Sequence, residues 1–176
     1  LEVDDDGLVE ISQWRHAIVN FPHPLLKQGL IIVDTPGLNV IGTEPELTLN
    51  LIPNAHAVLF ILAADTGVTK SDIDVWRNHI GSGPGRMVVL NKIDSMWDEL
   101  RTAEEVEAQI QHQIDTVSHT LSLEKNQVFP ISAQKGLVAK INKDAPLLAK
   151  SRLPKLEHAL SRSEERRVGK ECLRLC

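Results

Sequence analysis

Continuous apolar runs alternate along the chain with polar segments in which apolar residues recur at helical spacing. The runs cover residues 30–33, 57–62, 87–90 and 128–131. The first three are short, rich in β-branched or other large apolar side chains and bounded by turn residues, which is typical of strands buried on both faces. The pattern predicts these three buried strands, a last strand at 128–131 and a further strand at 17–21. Pro130 places the last run near a sheet edge, because proline has no N–H to donate to a neighbouring strand.

The segments between the strands predict helices. Ser71 begins one helix, and Thr102 with Glu105 forms a capping box before a longer one. The apolar residues at helical spacing in these two helices are Ile73, Trp76, Ile80, Val106, Ile110, Ile114, Val117 and Leu121. Shorter helices are predicted at 45–51, 137–141 and 153–160. Strands that alternate with helices imply right-handed crossovers and a mostly parallel sheet, so we predict an α/β fold.

The length and hydrophobic content of the chain fit one domain taken from a longer protein. The chain has 176 residues, 42% of them hydrophobic, which is enough for a single core. It begins without a methionine or a signal-peptide pattern, so we expect an internal part of a longer protein. No apolar run approaches the roughly 20 residues that span a bilayer.

The last fifteen residues have a different character. Residues 162–172 resemble the translation of a DNA-sequencing adapter, so we expect 1–161 to be the partial domain and 162–176 a non-native tail. Cys172 and Cys176 both lie in this tail, so they indicate neither a disulfide nor a metal site. Without the tail the chain has 14 basic and 21 acidic residues, a net charge of −7. This charge predicts no nucleic-acid partner.

Three loops that follow apolar runs carry the candidate chemistry. In the first loop, Asp34 could hold a hydrated Mg²⁺, since Mg²⁺ keeps several waters and uses few protein carboxylates. Gly37 has no side chain, so its amide could approach a terminal phosphate. A helix cap or a plain turn would explain Asp34-Thr35-Pro36-Gly37 equally well.

The second loop, Asn91-Lys92-Ile93-Asp94, suits a guanine base. The Asp94 carboxylate can accept hydrogen bonds from the ring N–H and the exocyclic amine, which adenine does not present in this arrangement. Lys92 can lay its methylene stem over the base or sugar, and Asn91 can tie this loop to a neighbouring one. An ordinary turn at the end of a strand is the alternative.

The third loop, Ser132-Ala133, would place small side chains and backbone N–H groups near the guanine carbonyl oxygen. By itself this dipeptide indicates little. The order and spacing of the three loops, each directly after an apolar run, favour a guanine-nucleotide site.

These motifs resemble the later part of a P-loop GTPase, and specifically the GTPase domain of the bacterial dynamin-like family. Further similarity lies at 21–26, 34–39 and 63–72, and the resemblance covers about residues 10–160. It implies a truncated Ras-like three-layer fold that lacks the central first strand. It also implies GTP or GDP with Mg²⁺ as ligands. The residues it assigns are Asp34 for the metal, Gly37 for the phosphate, Asn91, Lys92 and Asp94 for the base, and Ser132 and Ala133 for the last guanine contact.

The chain departs from the family pattern at the phosphate end. It contains no Gly-x-x-x-x-Gly-Lys-Ser/Thr loop, which we expect upstream together with the first switch loop. Leu38 stands where Ras-like enzymes carry a water-orienting Gln, so we assign no catalytic residue. Because the missing loops supply most of the phosphate stabilisation, we expect the chain alone to bind GTP weakly and not to hydrolyse it.

Three interpretations of the parent protein stay open. The first is a dynamin-like GTPase that is cytoplasmic or peripheral to the inner membrane, with a homodimer through this domain and membrane contact through segments outside this chain. The second is a GTPase linked to translation or tRNA. The third is a non-catalytic remnant that serves as a scaffold.

Overall fold

The computed structural model describes residues 17–27, 29–35, 52–81, 85–98 and 100–161. The chain divides into two compact units, residues 1–32 and 33–176. The described part of the first unit contains one helical turn, α1 (Pro24–Lys27), between irregular segments. The described strands and the remaining described helices all belong to the second unit.

Three parallel strands form the sheet of the second unit: β1 (Val58–Ala63), β2 (Arg86–Asn91) and β3 (Val128–Pro130). Their order is β1-β2-β3, with Phe60 beside Val88 and Val88 beside Val128. Three of the predicted strands and the parallel arrangement are therefore confirmed. β3 lies at an edge of the described sheet, as Pro130 indicated.

Gly85 allows the close approach of the segments that enter β1 and β2. Its φ is +66°, and a Cβ there would lie 2.7 Å from the carbonyl oxygen of His56. The Val58 N–H donates to the Gly85 carbonyl at 3.2 Å. Only glycine meets both the left-handed conformation and the contact without strain.

Helices lie on both sides of the sheet. α2 (Lys70–Val75) continues into one π-helical turn (Trp76–Ile80), and α3 (Ala103–Leu121) is the longest of the described helices. α4 (Ala133–Asn142), α5 (Ala145–Ser151) and α6 (153–161) follow β3. The capping box of Thr102 and Glu105 is confirmed, whereas α2 is capped by Thr69 with Asp72 rather than begun by Ser71. None of the helices described has the length and apolar character needed to cross a bilayer.

The core has two parts, one on each face of the sheet. The larger part packs α2 and α3 against the sheet, and the indole N–H of buried Trp76 donates to the Leu121 carbonyl at 3.0 Å. The smaller part joins Val89, Ile131 and Leu156, which brings α6 onto the opposite face. Helix, sheet and helix thus form three layers, as predicted for this α/β fold.

The run at 30–33, which we predicted to be a buried strand, is irregular and largely exposed. Ile31 is 84% exposed, and Ile32 and Val33 are also exposed. The predicted strand at 17–21 is wrong in the same way, with Ile18 and Val19 exposed. An apolar run becomes a strand only when a neighbour pairs with its backbone, and the described residues supply none. The predicted helix at 45–51 lies outside the described residues.

Candidate functional site

Five of the seven predicted site residues gather at the carboxyl ends of β2 and β3. Asn91 is the last residue of β2, and Lys92 and Asp94 follow it directly. Ser132 and Ala133 follow β3 and begin α4. Carboxyl ends of neighbouring parallel strands meet at one edge of a sheet, which is where open α/β sheets bind ligands.

Asn91 joins the two loops through its side-chain oxygen. Asn91 Oδ1 accepts hydrogen bonds from Lys92 N at 2.8 Å and from Ala133 N at 3.0 Å. Its backbone carbonyl accepts from Ala64 N at 2.8 Å, just beyond β1. A single residue therefore connects the ends of β1 and β2 with the start of α4, and the expected tie between loops is confirmed.

Lys92 adopts a left-handed conformation, with φ 65° and ψ 33°. This conformation costs about 1–2 kcal/mol for a residue with a side chain, so it persists only where neighbouring contacts hold it. The Asn91 hydrogen bond is one such contact. Another is the pair of hydrogen bonds that the Lys92 carbonyl accepts from Ser95, from its N–H at 3.0 Å and its hydroxyl at 2.8 Å. The Lys92 side chain also forms an ion pair, with Nζ 3.9 Å from Asp65 Oδ2.

Asp65 is a site residue that the sequence analysis missed. It lies in the turn after β1, 27 residues before Lys92. The two residues meet because β1 and β2 pair in a register that puts Ala63 beside Asn91. Nothing in the local sequence around Asp65 signals this pairing.

Asp94 lies in a single 3-10 turn (Ile93–Met96) whose first residue, Ile93, is anchored in the core. Ile93 is fully buried, and its N–H donates to the Ile131 carbonyl at 3.2 Å. Asp94 itself is half-buried. Among the described residues its carboxylate has no hydrogen-bond or ion-pair partner. Both oxygens therefore remain available, which fits a ligand that presents two adjacent N–H groups, as guanine does.

Ser132 is fully buried and caps α4, where its Oγ accepts from Lys135 N at 3.2 Å. Ser132 N donates to the Ser151 carbonyl at 2.9 Å, and Ala133 N donates to Asn91 Oδ1. The two amides that we assigned to the guanine carbonyl oxygen thus each have an acceptor within the chain. The assignment of these residues to the base stays a prediction.

The phosphate end of the site has little described structure. Asp34 is exposed in an irregular segment, and Gly37 lies outside the described residues. Within the described ranges no three His, Cys, Asp or Glu side chains form a group that could hold a metal ion. A single exposed carboxylate suits only a largely hydrated Mg²⁺, so the metal role of Asp34 stays a prediction.

Comparison with known proteins gives a family match and several relatives. The model of the dynamin family matches residues 5–94, about half of the chain. The chain is 35% identical over 86 residues to a bacterial dynamin-like protein of Nostoc punctiforme, covering 49% of this chain and 12% of that protein. It is 34% identical over 143 residues to a probable transmembrane GTPase, FZO-like, of Arabidopsis thaliana chloroplasts, covering 81% and 15%.

A solved structure is also similar. It is a variant of Aquifex aeolicus Era bound to GDP.AlF4-, with 25% identity and a TM-score of 0.41 over 62% of this chain and 38% of that one. The chain therefore spans only a small part of the two curated relatives and less than half of this structure.

Proposed function

Because the chain belongs to the dynamin family, we propose that it forms the base-binding half of a site where its parent protein binds and hydrolyses GTP. The observation that carries this proposal is the Asn91 bridge, which holds the Asp94 turn and the start of α4 together at one sheet edge.

The base would be selected by Asp94. Its two free oxygens would accept the ring N–H and the exocyclic amine of guanine, whereas adenine would leave this acceptor facing groups it cannot bind. Leaving a partly buried acceptor unpaired costs about 1–3 kcal/mol. Lys92, held by Asp65, would cover the base or sugar with its methylene stem while its ammonium stays hydrated.

The phosphates would be contacted by two residues that the sequence motif assigns to them, Asp34 and Gly37. Asp34 would hold hydrated Mg²⁺ and the Gly37 amide would contact the terminal phosphate, while the metal would neutralise phosphate charge when bound. The chain alone contains no phosphate loop motif, so we propose that it binds GTP weakly and does not hydrolyse it.

At the level of the parent protein we propose a dynamin-like GTPase that forms a homodimer through this domain. We further propose that it is cytoplasmic and works at the inner membrane, through segments outside this chain. The family membership supports this role, and the Arabidopsis relative is described as a probable transmembrane GTPase.

The test measures how the chain distinguishes bases. Fluorescent GDP, IDP and ADP are titrated to millimolar concentration against the wild-type chain and against Asp94→Ala. IDP lacks only the exocyclic amine of guanine, so the affinity ratio of GDP to IDP reports the Asp94 contact. We expect GDP to bind best, with an affinity weaker than micromolar, and Asp94→Ala to lose about tenfold or more of the GDP affinity.

Asp74→Ala serves as the matched control, because Asp74 is an exposed acid on α2. It should leave all three affinities unchanged. Equal binding of GDP and ADP by the wild-type chain would contradict the proposal and favour the scaffold interpretation. Submicromolar affinity for GTP would contradict the weak binding proposed for the chain alone.

A further inference from the structure

The turn that carries Asp94 depends at its far end on Trp97. The backbone N–H of Trp97 donates to the backbone carbonyl of Asp94 at 3.1 Å, which closes the turn. Met96, the last residue of the turn, is buried. Ile93 and Met96 thus place the turn in the core, and the backbone hydrogen bond from Trp97 closes it at the Asp94 carbonyl.

Lys150 covers the ring of Trp97. Its Nζ lies 4.3 Å from the ring centroid, within the range of a favourable cation–π contact. Lys150 belongs to the last turn of α5, 53 residues after Trp97 in the sequence. Trp97 is only half-buried, so this contact covers a ring that the core does not enclose.

α5 is itself fixed to the other base-binding loop. Ser151, directly after Lys150, is fully buried and accepts the hydrogen bond from Ser132 N. Its Oγ donates to the Leu148 carbonyl at 2.6 Å. Arg152 forms an ion pair with Glu107 of α3. The backbone of Lys150 is thus fixed next to the Ser132 loop, because the following residue, Ser151, is hydrogen-bonded to that loop.

Trp97 packs against the larger part of the core on one side and borders an open cleft on the other. The cleft has a volume of about 670 Å³ and lies beside the first turns of α3. Trp97, Val106, Ile110, Lys150 and Arg152 are among the residues that line it. Packing alone does not restrain the exposed side of the indole, because that side faces this cleft rather than a filled core.

We propose that Lys150 is a positioning residue for guanine recognition, which holds Trp97 by its cation–π contact and through Trp97 holds the Asp94 turn. This inference rests on the proposed function, because it concerns how Asp94 is kept in place for the base. Lys150 does not touch the base itself. Lys150 therefore affects the preference for guanine over other bases rather than the binding of the phosphates.

The experiment compares Lys150→Met, Lys150→Arg and Lys155→Met in the full chain, with the affinity ratio of GDP to IDP as readout. Lys150→Met should lower this ratio by up to about fivefold, because the whole cation–π contact at an exposed site is worth no more than that. Lys150→Arg should keep the ratio, since arginine also binds an aromatic face. Lys155→Met removes the same charge at an exposed position of α6 and should leave the ratio unchanged.

A purely electrostatic role of Lys150 would weaken GDP and IDP equally and leave their ratio constant, which would overturn the inference. Trp97→Leu provides a second test, because it should lower the ratio as Lys150→Met does, and the double variant should lower it no further. A loss in Trp97→Leu without a loss in Lys150→Met would also overturn the role of Lys150. Absence of any GDP preference in the wild-type chain would instead overturn the proposed function.

Discussion

At the scale of single residues, one side-chain oxygen holds the candidate site together. Asn91 Oδ1 receives two backbone N–H groups, one from its own loop and one from the start of α4. Both bonds need only an acceptor at this position. The residue can therefore be tested for its structural role apart from any role towards a ligand.

We predict that Asn91→Ala lowers the free energy of unfolding by about 1–3 kcal/mol, because two backbone donors lose their partner. Asn91→Asp should retain most of the stability, since a carboxylate still accepts both bonds. Urea denaturation measures the change. Asn126→Ala, which removes an exposed bond to Glu124 within one turn, is the control and should change stability by less than about 0.5 kcal/mol. Equal losses in Asn91→Ala and Asn126→Ala would refute the bridging role.

At the scale of elements, α3 is tied to the segment that leads into β3. Lys125 Nζ lies 2.7 Å from Asp115 Oδ1, and the Gln111 amide also donates to Asp115 at 2.9 Å. The hydrogen bond from Lys125, followed by the one from Gln111, holds the pKa of the Asp115 carboxyl below its usual value. The ion pair thus links a helix to the 3-10 turn (Lys125–Gln127) that precedes β3.

The lowered pKa of Asp115 predicts how the stability of the fold changes in acid. Because the folded pKa lies below the unfolded one, the contribution of Asp115 is fully present above about pH 4, near the ordinary carboxyl pKa. It is lost as the pH falls through the lowered value. We therefore expect the melting temperatures of wild type and Asp115→Asn to differ at pH 7 and to converge below pH 4.

Thermal unfolding followed by circular dichroism between pH 7 and pH 2 measures this convergence. Lys125→Met should remove most of the difference at neutral pH, since Lys125 is the largest cause of the shift. Wild-type and Asp115→Asn curves that stay parallel down to pH 2 would show that the ion pair does not stabilise the fold.

At the scale of the whole molecule, the described sheet leaves a large apolar side chain of β1 exposed. Ile61 is 65% exposed, while its neighbour Leu62, on the opposite face, is 4% exposed. β1 is an outer strand of the described sheet. Exposed apolar side chains on an outer strand favour association between chains.

We predict that Ile61→Lys reduces self-association of the chain without lowering its melting temperature. Light scattering over a concentration series and a thermal melt measure the two effects. Leu62→Thr is the matched comparison on the next residue, and it should cost about 2 kcal/mol or more because it empties part of the core. If Ile61→Lys destabilises the chain as much as Leu62→Thr, Ile61 is covered in solution and the prediction fails.

The sequence alone determined the elements whose signals are local. The apolar runs at 57–62, 87–90 and 128–131 predicted the three strands, and the stripe and capping box predicted α3. The α/β fold and the dynamin-family resemblance were also identified from the sequence, and both are confirmed. Such features depend on residues a few positions apart, so their periodicity can be seen directly in the chain.

Only the tertiary structure decided which distant residues meet. The pairing of β1 with β2 brings Asp65 to Lys92, and the packing of α5 brings Lys150 to Trp97. At 30–33 an expected contact is missing instead: the composition of this run suits a strand, but no described backbone pairs with it. Hydrogen bonds and side-chain contacts between distant segments depend on the register and order of the elements, and no local pattern of residues encodes these.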